Sequence, residues 1–244
     1  METMTTSIIL PFLVFFPFLG AVISYIIGRS NKGARDIWCW ILSAVIFIAS
    51  LTLIGKETVY SLRGFCGLGL SFAADGFGVI LAVLTGAIWL ITTIFSKEYM
   101  AAERNRNRYY FFVFLTLGAT MGIFLSADLF TTFIFFEIMS FTSFVLVMHD
   151  EEDFTVRSAK TYLAVAVIGG LVTLMGLFMM YQKAGTLNMA ELTAFMQSRE
   201  NPAEFYAIGV LILFGFAAKA GLFPLHTWLP NAYTVAPAPS SALL

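Results

Sequence analysis

The sequence has few charges, few cysteines and few histidines. Charged residues make up 12% of its 244 positions, against about 25% in a soluble domain. The two cysteines, Cys39 and Cys66, and the two histidines lack the spacing of a metal site, a haem site or an iron–sulfur cluster. No glycine-rich nucleotide loop is present, and a net charge of −1 gives no reason to expect a nucleic-acid partner. These deficits exclude a soluble enzyme, and they predict no cofactor and no bound metal.

Long apolar runs take the place of the missing charge. Hydrophobic residues form 59% of the chain, and a membrane-crossing helix needs about 20 of them in a row. We predict an all-α membrane protein, a single transmembrane domain over residues 1–244 with helices one to three in 1–108 and the rest in 109–244. Its seven predicted helices are Ile8–Ile27, Ile37–Ile54, Gly76–Phe95, Tyr109–Leu125, Leu129–Met148, Thr161–Tyr181 and Phe205–Leu225.

The basic residues fall unevenly on the two sides of these helices. The connections after the first, third and fifth helices carry nine of them: Arg29, Lys32, Arg35, Lys97, Arg104, Arg106, Arg108, Arg157 and Lys160. The opposite side carries four: Lys56, Arg63, Lys183 and Arg199. Because cytoplasmic loops are richer in Lys and Arg, we expect a multi-pass protein of the cell membrane with its N-terminus outside.

Two outer loops and one helix face carry weaker patterns. The alternating run Gly67–Phe72 favours a short hairpin, and Asn188–Glu191 resembles the start of a capped helix. The apolar spacing that follows predicts a short helix, either lying at the membrane interface or packed as an ordinary surface helix. In the sixth helix, close packing against a neighbour is expected from the small residues Ala166, Gly169, Gly170 and Gly176.

Two ionisable residues lie inside the predicted helices. Glu137 is near the middle of the fifth helix, with Ser140 one turn further along the same side. Lys219 lies in the seventh helix, which is expected to break soon afterwards because three helix-disfavouring residues follow: Gly221, Pro224 and Pro230. A broken helix at membrane depth is tolerated only inside protein or beside a water-filled cavity.

A buried acid and base on separate helices suggest proton transfer. Each charge costs roughly 2.5–3.5 kcal/mol in lipid, and such residues are functional by default. Burial favours the neutral form and pairing favours the charged form, so Glu137 and Lys219 could exchange a proton when their separation changes. Two alternatives remain: a structural protein whose ion pair only fixes helix packing, and a retinal-type seven-helix protein. The third helix, however, has no acid to serve as the counter-ion of a retinal.

The other ionisable residues are weaker candidates. His226 lies in the expected helix break, where it either connects the Lys219 region to cytoplasmic water or is an interfacial histidine. Asp75 and Asp128 begin helices and are expected to act as caps. His149 adjoins four acidic residues and is expected to be a solvated loop residue.

Two stretches resemble a known family. Residues 135–147, FFEIMSFTSFVLV, resemble the fifth-helix glutamate motif of the proton-conducting membrane subunits of respiratory complex I, of Mrp-type Na⁺/H⁺ antiporter subunits and of membrane-bound hydrogenase subunits. Residues 218–232, AKAGLFPLHTWLPNA, resemble the seventh-helix signature of the same family, and the likeness extends to Phe72–Gly76 and Lys160–Gly170. The amino-acid sequence of the first motif favours the Mrp or hydrogenase branch of this family over complex I itself.

The resemblance implies roles for three residues. Glu137 matches the glutamate that pairs with the central lysine, Lys219 matches the lysine that exchanges the proton, and His226 matches the histidine after the helix break. Asn231 stands where the family usually has Asp. The implied fold is the first half of an inverted-repeat antiporter, and any redox chemistry would belong to partner subunits of a quinone-reductase-like or hydrogenase-like complex.

The resemblance also implies that more protein is needed for transport. The chain stops where the family's eighth helix begins, and family members continue to about twice this length with a second, inverted repeat. We therefore expect a fragment, a truncated product or one half of a split subunit. The expected partners are other membrane subunits and a companion chain that supplies the remaining helices. The expected transported ions are protons, with Na⁺ as an alternative coupled ion.

Overall fold

A computed structural model describes residues 5–62, 64–198 and 203–244 of the chain. Helices dominate, and a small three-stranded sheet lies at one end of them. The strands are β1 (Thr5–Thr6), β2 (Thr58–Leu62) and β3 (Leu70–Ala74). The helices are α1 (Ile9–Ser30), α2 (Lys32–Leu51), α3 (Gly76–Tyr99), α4 (Arg106–Phe124), α5 (Leu129–Val147), α6 (Asp153–Ala184), α7 (Met189–Gln197), α8 (Ala203–Ala220), α9 (Trp228–Val235) and α10 (Ala238–Ser241).

Each of the seven predicted membrane helices has a counterpart in the structure. Within the described ranges, six helical segments are long and apolar enough to cross a membrane, and they correspond to α1, α2, α3, α5, α6 and the stretch Phe205–Val235. The exception is α4, which begins with the polar run Arg106–Arg108. It packs against α1, α3 and α5 and buries most of its length, so protein rather than lipid surrounds it and its composition needs fewer apolar residues.

Helices α2 and α6 begin five and eight residues before the starts that the apolar runs predict. The side chain of Asn31 accepts a hydrogen bond from the Ala34 backbone N–H, so α2 begins at Lys32. Arg35 and Asp36 then lie inside the helix and pair at 2.7 Å, whereas the sequence placed both before it. Helix α6 is 32 residues long, or about 48 Å at 1.5 Å per residue, and therefore extends beyond the hydrocarbon layer of about 30 Å.

The hairpin predicted between the second and third helices is present. Strands β2 and β3 pair antiparallel from Thr58 opposite Ala74 to Leu62 opposite Leu70. Strand β1 adds to β2 in parallel. Isolated bridges join Phe72 to Ser126 and Asp128 to Asn188, so the hairpin, the start of α5 and the start of α7 lie at one end of the helices.

The short helix after α6 is also present as α7. The Asn188 side chain accepts hydrogen bonds from the Ala190 and Glu191 backbone N–H groups, as the capping pattern predicts. Glu191 does not close the box, however, because its carboxylate accepts from the Thr186 hydroxyl. That hydroxyl instead accepts from the Asn188 backbone N–H at 3.2 Å. Asp75 and Asp128 also cap helices as predicted, each accepting from a backbone N–H three residues on at 2.7 Å.

The predicted helix break lies between α8 and α9. Gly221 adopts a left-handed conformation with φ +66° and ends α8. The Phe223–Pro224 peptide bond is cis, and a single 3-10 turn, Leu225–Thr227, leads into α9. The Trp228 indole N–H donates to the Ala218 carbonyl at 2.9 Å, beside the backbone hydrogen bond of 3.3 Å that this carbonyl accepts from Gly221.

Candidate functional site

Glu137 lies on α5 and faces α6. Its side chain is partly buried, and the Oε1 atom is buried without a hydrogen-bond partner among the described residues. The carboxylate occupies space left by Gly170, where an added Cβ would lie 2.8 Å from the carboxyl carbon. A buried carboxylate oxygen without a partner is costly. A hydrogen bond from a nearby donor would therefore stabilise the Glu137 carboxylate.

Lys219 lies in the last turn of α8 and points between α5 and α6. Its ammonium donates hydrogen bonds to the Tyr162 hydroxyl and, at 3.3 Å, to the Ser143 hydroxyl. The charge also sits 4.2 Å from the centre of the Tyr162 ring and 5.9 Å from that of Trp228. Hydroxyls and aromatic faces together replace the water that a lysine would otherwise hold.

Tyr162 of α6 joins these groups into a network. It is fully buried, and its hydroxyl shares a hydrogen bond of 2.5 Å with Ser143. The same hydroxyl donates to the Ser140 carbonyl at 3.3 Å. Since Ser140 lies almost one helical turn beyond Glu137 on α5, the network runs from Lys219 toward the glutamate.

The acid and the base do not form a close ion pair among the described residues. Glu137 lies against Gly170 and Lys219 against Tyr162, so both side chains contact α6. The ion pairs within 4.0 Å across the described ranges involve other residues, namely Arg35–Asp36, Arg106–Asp36 and Arg108–Glu151. The structure therefore places Glu137 and Lys219 along the same interface with α6, and the Tyr162 and Ser143 hydroxyls lie on the Lys219 side of it.

His226 does not join this site. Its side chain is exposed and its ring stacks on Phe223 with the centroids 5.7 Å apart. Phe223 is itself 86% exposed. The neighbouring Trp228, rather than His226, is the residue of the helix break that approaches Lys219.

Sequence reasoning missed Tyr162 and Ser143. Both are common residues of apolar helices, so neither stands out by type. The available signal was position, since Tyr162 lies four residues before Ala166 on the small-residue face of the sixth helix. On that face Gly169 packs against Ala218 and Gly176 against Ile212, which confirms the predicted close packing with the next membrane helix. Gly170 has a different role, because it gives room to Glu137.

The prediction for His149 is wrong. The residue is 4% exposed and its ring packs edge-on against Tyr109 at 5.8 Å. Its backbone carbonyl accepts a hydrogen bond from Arg108 at 2.8 Å. Burial lowers the pKa of the imidazole, and the nearby Arg108 charge lowers it further. The adjacent acidic residues suggest a solvated loop, but the ring turns inward beneath them.

Comparison with protein families identifies a match for the second half of the chain. Residues 126–244 match the family model described as NADH:quinone oxidoreductase/Mrp antiporter, TM. That range holds Glu137, Tyr162 and Lys219, so the whole site lies within the matched part.

Curated relatives match most of the chain. It is 32% identical to a Na⁺/H⁺ antiporter subunit of Bacillus subtilis over 247 residues, covering 98% of this chain and 49% of the relative. It is 33% identical to the corresponding Na⁺/H⁺ antiporter subunit of Alkalihalophilus pseudofirmus over 175 residues, covering 72% of this chain and 36% of the relative. The chain therefore spans half or less of the length of these relatives.

Solved structures show the same fold. A chain of an archaeal membrane-bound sulfane sulfur reductase superposes with a TM-score of 0.85 and 24% identity, over 96% of this chain and 49% of that one. A chain of the Mrp complex from Dietzia sp. DQ12-45-1b gives a TM-score of 0.82 and 24% identity, over 96% of this chain and 45% of that one. Both likenesses concern the fold.

Proposed function

We propose that this chain, as a member of the NADH:quinone oxidoreductase/Mrp antiporter family of membrane subunits, is a cation/proton-translocating subunit of a multi-subunit membrane assembly. Glu137, Tyr162 and Lys219 carry the proton. The other membrane subunits, together with a second repeat supplied by the rest of a longer chain or by a companion chain, complete the path. Protons are the transported ion, with Na⁺ as the alternative coupled ion named for the curated relatives.

The contact that carries this proposal is the one between Lys219 and the Tyr162 hydroxyl. A protonated lysine donates to this oxygen, while the hydroxyl can pass its own proton toward Ser143 or be held by the Ser140 carbonyl. Glu137 has an unsatisfied carboxylate oxygen on the same helix as these serines. The hydroxyls thus extend from the base to the helix that bears the acid, and movement of the Glu137 carboxylate toward them would complete the route.

Movement of α5, which carries Glu137, relative to α8, which carries Lys219, would drive the proton exchange between them. When Glu137 approaches Lys219, the negative carboxylate stabilises the ammonium and the proton is retained. When the partner subunits draw the carboxylate away, burial favours neutral lysine and the proton leaves toward the second repeat. The proton exchange between Glu137 and Lys219 needs no redox centre within this chain, since conformational change in the assembly supplies the energy.

The role of Tyr162 can be tested by removing one oxygen atom. In proteoliposomes that contain the assembly, Tyr162→Phe should slow proton movement by roughly 100-fold, because the ring still packs while the relay hydroxyl is lost. Glu137→Gln and Lys219→Ala should abolish the movement altogether. A pH-sensitive dye inside the vesicles measures all three.

The matched control is Tyr181→Phe, which removes a hydroxyl from an exposed tyrosine on the same helix. It should transport protons as the unaltered chain does. Co-purification of the partner subunits establishes that each variant assembles. Normal proton movement in Glu137→Gln or Lys219→Ala would contradict the proposed relay.

A structural role is the second candidate, and one observation favours it. The contacts of Lys219 with Ser143 and Tyr162 also hold α8 against α5 and α6. If their purpose were packing alone, Lys219→Ala would lower the melting temperature together with activity. Loss of transport at an unchanged melting temperature supports proton transfer.

A further inference from the structure

A basic pocket lies where the end of α1 meets the starts of α2 and α4. The cavity measures about 420 Å³ and opens beside Tyr25 of α1. Five basic side chains line it: Lys32, Arg35, Arg104, Arg106 and Arg108. These residues come from two separate segments of the chain, 32–35 and 104–108, so folding makes them converge on one space.

The charged side chains that line the pocket are mostly basic. Asp36 pairs with Arg35 at 2.7 Å and with Arg106 at 3.3 Å, while the exposed Glu151 pairs with Arg108. Neither acid is in the lining, where Glu103 is the one carboxylate among the described residues. The lining therefore holds five basic residues and one acid, while Asp150, Glu151 and Glu152 line the adjacent cavity.

Several donors in the pocket have no acceptor. The buried Nε atoms of Arg106 and Arg108 make no hydrogen bond among the described residues. Lys32 and Arg104 are exposed, and the ion pairs of the described ranges do not include them. Lys32 and Arg104 therefore present exposed donors to an anion, whereas the Nε atoms of Arg106 and Arg108 become available only when these side chains move.

The backbone adds further positive potential. Helix α4 begins beside the pocket, and its N-cap residue Asn105 has φ 58° and makes no side-chain capping bond. The first N–H groups of a helix lack internal acceptors and carry the positive end of its dipole. Here they supplement a site that the arginine and lysine side chains already define.

One flank of the pocket is apolar and faces outward. Tyr25 lines the cavity and is 43% exposed, and the next residue, Ile26, is 61% exposed. Ile37 on α2 is 56% exposed. These side chains belong to helices that are apolar enough to cross a membrane, so the pocket lies at the boundary where lipid headgroups reside.

We propose that this pocket binds the phosphate group of an anionic phospholipid, whose acyl chains lie along Tyr25 and Ile26. Arginine side chains bind phosphate oxygens in a planar, two-pronged manner, and basic pockets between membrane helices accept such headgroups. A zwitterionic lipid would bring its own cation into a site that already has a positive surplus.

The usual orienting role of basic residues does not account for this arrangement. Arg157 and Lys160 lie at the same end of the molecule and add equally to its charge bias, yet both are exposed and neither lines this cavity. Orientation requires charge near the membrane surface, whereas the pocket brings five basic groups around one volume.

Native mass spectrometry of the full chain in mild detergent tests the proposal. The chain is titrated separately with phosphatidylglycerol, phosphatidylcholine and inorganic phosphate. We expect retention of phosphatidylglycerol over phosphatidylcholine, with inorganic phosphate acting as a weak competitor. The double variant Lys32→Gln, Arg104→Gln should bind phosphatidylglycerol roughly 30-fold more weakly, since each basic residue near an anionic lipid contributes about 1 kcal/mol.

The matched control is the double variant Arg157→Gln, Lys160→Gln. It removes the same number of charges from exposed positions at the same end of the molecule, and it should keep its affinity. Equal weakening in both double variants would overturn the proposal, because it would show attraction to general charge. Binding of inorganic phosphate as tight as that of phosphatidylglycerol would overturn the lipid assignment in favour of a soluble phosphate compound. Equal melting temperatures confirm that the variants fold.

Discussion

At the scale of single residues, a substitution at Gly170 should change proton transfer while leaving the packing of the helices almost unchanged. An added methyl group would lie against the carboxylate of Glu137, the flexible end of a side chain. We expect Gly170→Ala to shift that carboxylate and reduce proton movement at least tenfold, while the free energy of unfolding changes by less than about 1 kcal/mol. Vesicle proton uptake and thermal unfolding measure the two effects.

Gly209→Ala on α8 is the comparison for this variant, because an added Cβ there meets no atom within 4 Å. It should leave transport unchanged and raise stability slightly, since alanine favours a helix over glycine by about 1 kcal/mol. If Gly170→Ala transported protons as well as Gly209→Ala does, the position of the Glu137 carboxylate would have no bearing on transfer.

His149 should make stability depend on pH. Burial and Arg108 lower its pKa, and Asp150 and Glu103 only partly oppose them. The unfolded chain therefore binds a proton more readily than the folded one below the usual histidine value of about 6.5, and acid should destabilise the fold. The fall in melting temperature between about pH 7.5 and about pH 5.5 should be smaller in His149→Gln. An equal fall in both proteins would show that other groups cause it.

At the scale of elements, apolar run length predicted the membrane helices but not their true starts. Helices α2 and α6 begin at Lys32 and Asp153, in stretches whose charges look like loops. The start of α2 carries Arg35, whose charge is paired with Asp36 and held by Asn107 of α4. Local composition does not reveal such a partner, because the contact exists only after α1, α2 and α4 have packed.

The same reasoning applies to the elements of the site. Glu137 and Lys219 are visible in the sequence because charge is rare in an apolar run. Tyr162 is an ordinary residue in such a run, and only the packing of α8 against α6 places a lysine on its hydroxyl. Rare residue types can thus be identified from sequence alone, whereas the common residues that connect them require the tertiary structure.

The end of α8 offers a test of how the helix break is built. Gly221 and Gly185 end α8 and α6 in left-handed conformations, with φ +66° and +72°. Alanine at either position should cost roughly 1–2 kcal/mol. Gly221→Ala should cost more, because its Cβ would lie 2.6 Å from Leu229 Cδ1, whereas that of Gly185→Ala would meet nothing within 4 Å. Thermal unfolding compares the two, and equal losses would show that Leu229 does not fix the break.

At the scale of the whole molecule, the contacts divide the loops into two ends. One end holds the hairpin and the starts of α5 and α7, joined by the Phe72–Ser126 and Asp128–Asn188 bridges. The other holds the loops before α2, α4 and α6, joined through Arg35 with Asn107 and Arg108 with Glu151. The grouping of loops agrees with the one predicted from alternating helix direction. It therefore assigns to a single end the nine basic residues that follow the first, third and fifth predicted helices.

Which end faces the cytoplasm is the last prediction. Because basic residues are retained on the cytoplasmic side, the end with the hairpin should face outward. After Cys39 and Cys66 are replaced by Ser, a single cysteine is placed at an exposed site on either end, as Lys56→Cys or Glu152→Cys. A membrane-impermeant maleimide applied to intact cells should label only Lys56→Cys, and it should label both variants once the membrane is opened. Labelling of Glu152→Cys alone in intact cells would reverse the orientation and would place the basic pocket in the outer leaflet.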